Sequence, residues 1–144
     1  SDLCRKNLLK KIPVLNNQIY EIDIDKKKLK VIANKYNKKI KKYFQNKKVS
    51  FDLTLLGVGK DGHIASLFKN NISKRIKKNV DFVNRKDFGR ITLTLKCINN
   101  SKNIFLWVPG HKKKKIIKSI IFDKKLKYPA SYLKSKNNFL FYSN

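Results

Sequence analysis

Two side chains in this sequence are suited to acid–base work. Asp61 and His63 lie two positions apart in Gly57-Val58-Gly59-Lys60-Asp61-Gly62-His63-Ile64-Ala65. An imidazole titrating near neutral pH is the natural general base for activating water. The flanking glycines permit positive φ and leave N–H groups unshielded, the means by which a loop holds an anion or a developing oxyanion. The loop follows Phe51-Asp52-Leu53-Thr54-Leu55-Leu56, a run apolar enough to read as a strand buried on both faces. In open α/β sheets, ligands bind at the carboxyl ends of such strands. The plain alternative for His63 is a surface or helix-capping histidine; its setting between Gly62 and Ile64-Ala65 favours function.

Gly57-x-Gly59-x-x-Gly62 also spells a dinucleotide fingerprint, with Asp81 about 20 residues on as the ribose-binding acid. Two features weaken that reading. The helix expected after the loop, near residues 65–68, is too short, and His63 stands where a small packing residue belongs.

Composition bears on the rest. The 36 Lys+Arg against 9 Asp+Glu give a net charge of +27, which invites a nucleic-acid reading. Yet 32 of the 36 are lysine, whereas phosphate and base recognition favour the planar fork of arginine. Lys, Asn and Ile fill 64 of the 144 positions and Gly, Ala, Pro and Arg only 15, the mark of an A/T-rich genome that drives tolerant surface positions to lysine and asparagine. The charge therefore reads mainly as solvated surface. Residues encoded against the drift cluster in 57–65, Gly89-Arg90, Pro109-Gly110 and Pro129-Ala130, which marks where a site should be sought.

The elements that must position the loop follow from periodicity. At 144 residues and 41% hydrophobic, the chain suits a single domain with a real core. Cys4 and Cys97 exclude a disulfide scaffold or Cys-based zinc site and read as small buried hydrophobes. No run approaches the ~18 apolar residues of a membrane span, and Ser1 opens no signal-peptide pattern. The lack of any methionine suggests a piece of a longer chain.

Residues 2–11 predict a short helix ended by Pro13, and 18–24 a strand or extended link. Apolar spacing at Leu29, Ile32, Ala33, Tyr36, Ile40, Tyr43 and Phe44 predicts a long helix with Asp25 as N-cap. Residues 69–79 read as a solvated loop, and 80–83 and 90–95 as strands. Residues 103–108 form a further buried strand that Pro109-Gly110 stops. Residues 112–121 predict a helix burying Ile116, Ile117, Ile120 and Ile121, and 138–142 a last strand. Strands alternating with helices indicate an α/β parallel sheet.

The segment FDLTLLGVGKDGHIASLF closely resembles the central motif of the 6-phosphogluconolactonases. Gly89-Arg90-Ile91-Thr92-Leu93-Thr94 is similar to that family's Arg-Ile-Thr-Leu-Thr strand, Gly110-His111-Lys112-Lys113 to its Gly-x-x-Lys, and Pro129-Ala130-Ser131 with residues 138–142 to its closing segment. Glucosamine-6-phosphate deaminases share the Gly-x-Gly-x-Asp-Gly-His-Ile-Ala opening but continue with a carboxylate-bearing run. Ser66-Leu67-Phe68 here favours the lactonase, and Lys69 stands in place of the usual proline.

The resemblance implies a Rossmann-like, mostly parallel sheet flanked by helices, incomplete at the N-terminus, so that residues 1–144 form one partial domain. It implies hydrolysis of 6-phospho-D-glucono-1,5-lactone, with His63 taking a proton from water and returning it to the ring oxygen. Asp61 would help orient His63 or hold the site's backbone. Loop N–H groups around Gly59–Gly62 would steady the oxyanion, and Lys113, near Gly110 and a helix start, would grip the 6-phosphate with Arg90 as a second candidate. His111 is read as incidental.

No metal or organic cofactor is implied, since a lactone is already an activated ester. The expected partner is a small sugar-phosphate lactone in the cytoplasm, with no specific nucleic acid and no membrane. Family members are longer. Their N-terminal half brings the first strands, a Gly-Gly-Ser phosphate loop and an Asp-Glu-Arg segment, and some lineages fuse the enzyme to a glucose-6-phosphate dehydrogenase. The expectation is therefore exposed sheet-edge or apolar surface and little activity from these 144 residues alone. The alternatives are a deaminase-like isomerase and a noncatalytic basic or remnant domain.

Overall fold

The computed structural model describes residues 2–22, 25, 28–72, 77–84, 89–110, 113–122, 128–134 and 137–142. His111 and Lys112, parts of the 18–24 and 69–79 segments, and the side chain of Ile121 lie outside the described residues.

Three strands form a parallel sheet in the order β1-β4-β5: β1 (Leu53–Gly57), β4 (Asn103–Trp107) and β5 (Asn137–Tyr142). Helices α1 (Asp2–Asn7), α2 (Leu29–Tyr43), α3 (Leu95–Asn99) and α4 (Lys114–Phe122) complete the α/β layering. The remaining strands, β2 (Val80–Asn84) and β3 (Gly89–Leu93), pair antiparallel as a separate ribbon. The expected 90–95 strand stops at Leu93. Thr94 turns the chain, its hydroxyl accepting the Cys97 N–H at 3.2 Å as the N-cap of α3, and this capping overrides the alternation that carried the strand reading through Leu95.

Two cores result. Leu56, Ile104 and Leu106 from one sheet face meet Ile98 of α3, Ile116 of α4 and Ala130. Ala33 and Ile40 of α2 pack on Val80, Val49 and Cys97 beside the ribbon. Gly89 packs closely here: a Cβ would come within 2.6 Å of the Leu29 side-chain tip, which would have to shift. Leu29, Ala33, Tyr36 and Ile40 do form the inward stripe of α2, but Tyr43 is exposed. Asp25 is not the cap: the N-cap position is Lys28, with no side-chain cap bond, and Asp25 bonds one turn earlier through its carbonyl. Cys97 is buried as expected, and burial pushes its thiol up to about 11; Cys4, by contrast, is exposed.

The largest departure concerns burial. β1 and β4 are covered on one face only. Leu53 (55%), Leu55 (63%) and Trp107 (50%) keep half or more of their surface exposed, while Leu106, one position along, keeps none. Phe105 and Trp107 stack on this bare side at 6.3 Å. An apolar run reports a strand's hydrophobicity but not whether anything lies over each face.

Candidate functional site

β1 runs directly into the glycine loop, and the loop folds as a tight turn rather than as the entry to a helix. The Gly59 N–H donates to the His63 carbonyl at 2.9 Å and the Gly62 N–H to the Gly59 carbonyl at 3.0 Å. Bridges from Ile64 to Val58 and to Leu67 close it. No helix forms over 65–68, where Leu67 and Ile64 join in a further turn. Without a helix N-terminus behind the glycines, the dinucleotide reading loses its physical basis. Asp81, the acid it invoked, lies on β2 opposite Thr92.

The glycines serve geometry. Gly62 takes φ +76°, and a Cβ there would lie 2.6 Å from Tyr128. A Cβ on Gly59 would collide with the His63 ring itself. Ala65 holds φ +49°, a left-handed conformation rare for a residue with a side chain and the kind of local strain that gathers at functional turns. The Gly59 and Gly62 amides are engaged within the turn, whose shape both glycines make possible.

The turn brings Asp61 Oδ1 within 2.5 Å of His63 Nδ1, and the same oxygen accepts the His63 backbone N–H at 3.3 Å. Burial raises the Asp61 carboxyl, but the hydrogen bonds from the His63 ring and backbone and the attraction of the imidazole outweigh it and hold the group below the usual carboxylate range. With Nδ1 engaged, Nε2 is the ring nitrogen left to face a ligand. The imidazole is more sheltered than its partner, at 28% against 60% side-chain exposure.

Lys113, at the start of α4, reaches back to the loop: its Nζ donates to the Val58 carbonyl at 2.7 Å, and its backbone N–H bonds the Gly110 carbonyl at 3.2 Å. An ammonium has three donors, so this bond leaves capacity for an anion. Gly110, φ +93°, makes the turn from β4 into α4. Thus Gly59, Asp61, Gly62, His63, Gly110 and Lys113 come together. Arg90 is carried by β3 of the separate ribbon, exposed and opposite Val83.

Several supports have no local sequence signal. The Ala130 N–H donates to the Gly62 carbonyl at 3.0 Å, so the Pro129-Ala130 stretch braces the loop from 68 residues away in sequence. Thr92 Oγ1 accepts the Ser66 N–H at 3.1 Å, tying the ribbon to the loop. Phe68 packs on the His63 ring at 4.6 Å. The codon drift and the family resemblance pointed towards 129–130, and the resemblance covered Thr92, but neither indicated these contacts.

Fold and site together define an α/β domain with an acid–histidine pair presented at the carboxyl end of a parallel strand and a lysine bonded to the same turn. Residues 1–141 match the family model described as Glucosamine-6-phosphate isomerases/6-phosphogluconolactonase, and the chain belongs to that family. It is 30% identical over 143 residues to a 6-phosphogluconolactonase of Rattus norvegicus, covering 96% of this chain and 55% of the relative. A 6-phosphogluconolactonase of Chlamydia pneumoniae is 35% identical over 91 residues, covering 60% of this chain and 35% of the relative. Among solved structures, the 6-phosphogluconolactonase from Trypanosoma cruzi superposes with a TM-score of 0.77 at 25% identity, over 97% of this chain and 62% of that one. The chain spans about half the length of the rat relative. Among the described residues no helix is long and apolar enough to cross a membrane.

Proposed function

We propose that this chain carries the acid–base half of a 6-phosphogluconolactonase. The observation that carries the reading is the Asp61–His63 pair, held at hydrogen-bond distance in a turn at the end of β1. Asp61 fixes the ring through Nδ1, so His63 Nε2 takes a proton from water as it attacks the lactone carbonyl. The same nitrogen returns the proton to the ring oxygen when the tetrahedral intermediate collapses. Lys113 meets the 6-phosphate with the donors its Val58 bond leaves free. Arg90 remains a second phosphate-side candidate, reaching the substrate from the ribbon. A charged, water-soluble substrate fits a cytoplasmic setting.

The reading includes a further body of polypeptide: residues 1–144 are one partial domain, the C-terminal part of a longer fold. Support comes from the bare face of β1 and β4 and from a cleft of about 440 Å³ lined by Tyr36, Phe51, Leu53, Leu55 and Ile91, which borders the loop at Ser66. Parallel sheets are stable when both faces are covered, and an apolar cleft does not suit a sugar phosphate. The missing polypeptide would cover the face and complete the phosphate grip.

The test is lactone hydrolysis by the 144 residues alone and by the chain joined to the N-terminal portion of a family member. Little turnover is expected alone. Turnover from the joined protein should fall about 10²- to 10⁴-fold in His63→Ala. Full His63-independent hydrolysis would sink the catalytic assignment, and robust turnover by the 144 residues alone would sink the need for a second part.

A further inference from the structure

The hydrogen bond accepted by Asp61 fixes only one edge of the His63 imidazole, and that carboxylate is largely exposed. On another side the ring lies against Gly59, which has no side chain to hold it. The second restraint is Phe68, whose ring lies 4.6 Å from the imidazole at an interplanar angle of 36°, within the range of favourable aromatic pairs. What holds Phe68 there is not a helix, since none forms over 65–68.

Asn71 supplies the restraint. Its Oδ1 accepts the Phe68 N–H at 2.6 Å, and its Nδ2 donates to the Ser66 carbonyl at 3.0 Å. One carboxamide therefore spans both ends of the Ser66-Leu67-Phe68 turn. The backbone closes the other side, with the Asn71 and Ile72 N–H groups donating to the Phe68 carbonyl at 3.0 and 2.9 Å. Ser66 is anchored in turn by Thr92. The chain of contacts runs from Asn71 through the turn to Phe68 and from there onto the His63 ring.

We infer that Asn71 is a positioning residue for His63: by clamping the Ser66–Phe68 turn it holds the Phe68 ring against the imidazole and fixes the direction in which Nε2 points. This deepens the lactonase reading, on which its catalytic consequence rests, while the positioning itself is a property of the fold. Asn71 touches no reacting atom. Its side chain is matched to the task because a carboxamide offers an acceptor and a donor on one short planar group.

The experiment reads the His63 ring directly. The chain has two histidines, so a His63→Ala sample identifies the His63 ring-proton resonances. In the wild type the Phe68 ring current displaces those resonances, and Phe68→Leu removes the displacement. Asn71→Ala is expected to move them most of the way to their Phe68→Leu positions. Asn71→Asp, which keeps the acceptor for the Phe68 N–H, should retain more of the wild-type displacement. Asn71→Ser, too short to bridge both partners, serves as a second variant should Asn71→Ala not fold.

In the joined, active protein, Asn71→Ala should lower kcat about tenfold with KM within twofold, since misplacement of a catalytic group by less than 1 Å is felt mainly in the chemical step. If the resonances move and no protein, wild type included, hydrolyses the lactone, the lactonase reading fails and the positioning role stands. If the Asn71→Ala and Asn71→Ser resonances coincide with wild type, the inference is overturned whatever the kinetics.

Discussion

The two faces of the parallel sheet are built from alternate residues of the same strands, yet they meet opposite surroundings. Leu56, Ile104 and Leu106 point into the core formed with α3, α4 and the Pro129–Tyr132 turn, and all are buried. Leu53, Leu55 and Trp107 point the other way and stay largely exposed. The site belongs to the covered side: Val58, Ile64 and Leu67, which frame the glycine turn, are members of that core. The loop is thus anchored by residues whose burial is already complete, while the opposite face of β1 and β4 keeps Leu53, Leu55 and Trp107 exposed. Hydrophobic character alone did not distinguish the two faces; only the presence of packing partners did.

The comparison can be broken most forcefully at its centre. Leu106→Ala removes a fully buried side chain and should cost about 2–5 kcal/mol by chemical denaturation. Next is Gly62→Ala. It combines a φ of +76° with a Cβ 2.6 Å from Tyr128, and the strain should cost roughly 1–3 kcal/mol. In the joined protein that substitution should also lower turnover, because the Tyr128–Ala130 brace and the Asp61–His63 pair hang on the same turn.

On the bare face, Leu55→Ala should change the stability of the 144 residues by no more than about 0.5 kcal/mol. In the joined protein the same substitution should cost about 2 kcal/mol or more. A large cost in the short chain would mean that the face is already covered there, for instance by a second copy.

The smallest effect is expected from pH. Asp61 is held below the ordinary carboxylate range in the folded chain, so its contribution is present at pH values above the unfolded carboxylate pKa of about 4. It is lost as pH falls through the depressed folded value. Since the carboxylate is mostly exposed, solvent screening limits the contribution to about 0.5 kcal/mol or less. Comparing acid titrations of Asp61→Asn and wild type by circular dichroism checks it: the two should differ in stability at neutral pH and converge at the acid end.

Much of the site was legible because its signals are local. The glycine spacing, the Asp61–His63 proximity and a lysine at a helix start are all properties of neighbouring residues, and each sits where the sequence places it. The strands and the stripe of α2 were legible for the same reason, with period and β-branching carrying them. What failed depended on partners far along the chain. Leu95 continues an alternating pattern, yet Thr94 caps a helix there, and Leu95 and Ile98 are buried in the core shared with Ile104 and Leu106. Residues 80–84 and 89–93 look like members of the main sheet but, among the described residues, pair with each other and not with it. Cys4 is as apolar as Cys97, yet only the latter lies under α2.

The sequence by itself determined the chemistry available: an acid and an imidazole two residues apart, glycines that allow the turn between them, and an apolar strand to deliver it. Those are short-range facts, set by covalent spacing and backbone freedom. The tertiary structure alone decided how the pieces are held. It set Lys113 against Val58, Ala130 against Gly62, Thr92 against Ser66 and Phe68 against His63. It also left one face of the sheet open. Burial and long-range hydrogen bonding depend on which surfaces meet once the chain has folded, and no periodicity along the chain encodes that meeting.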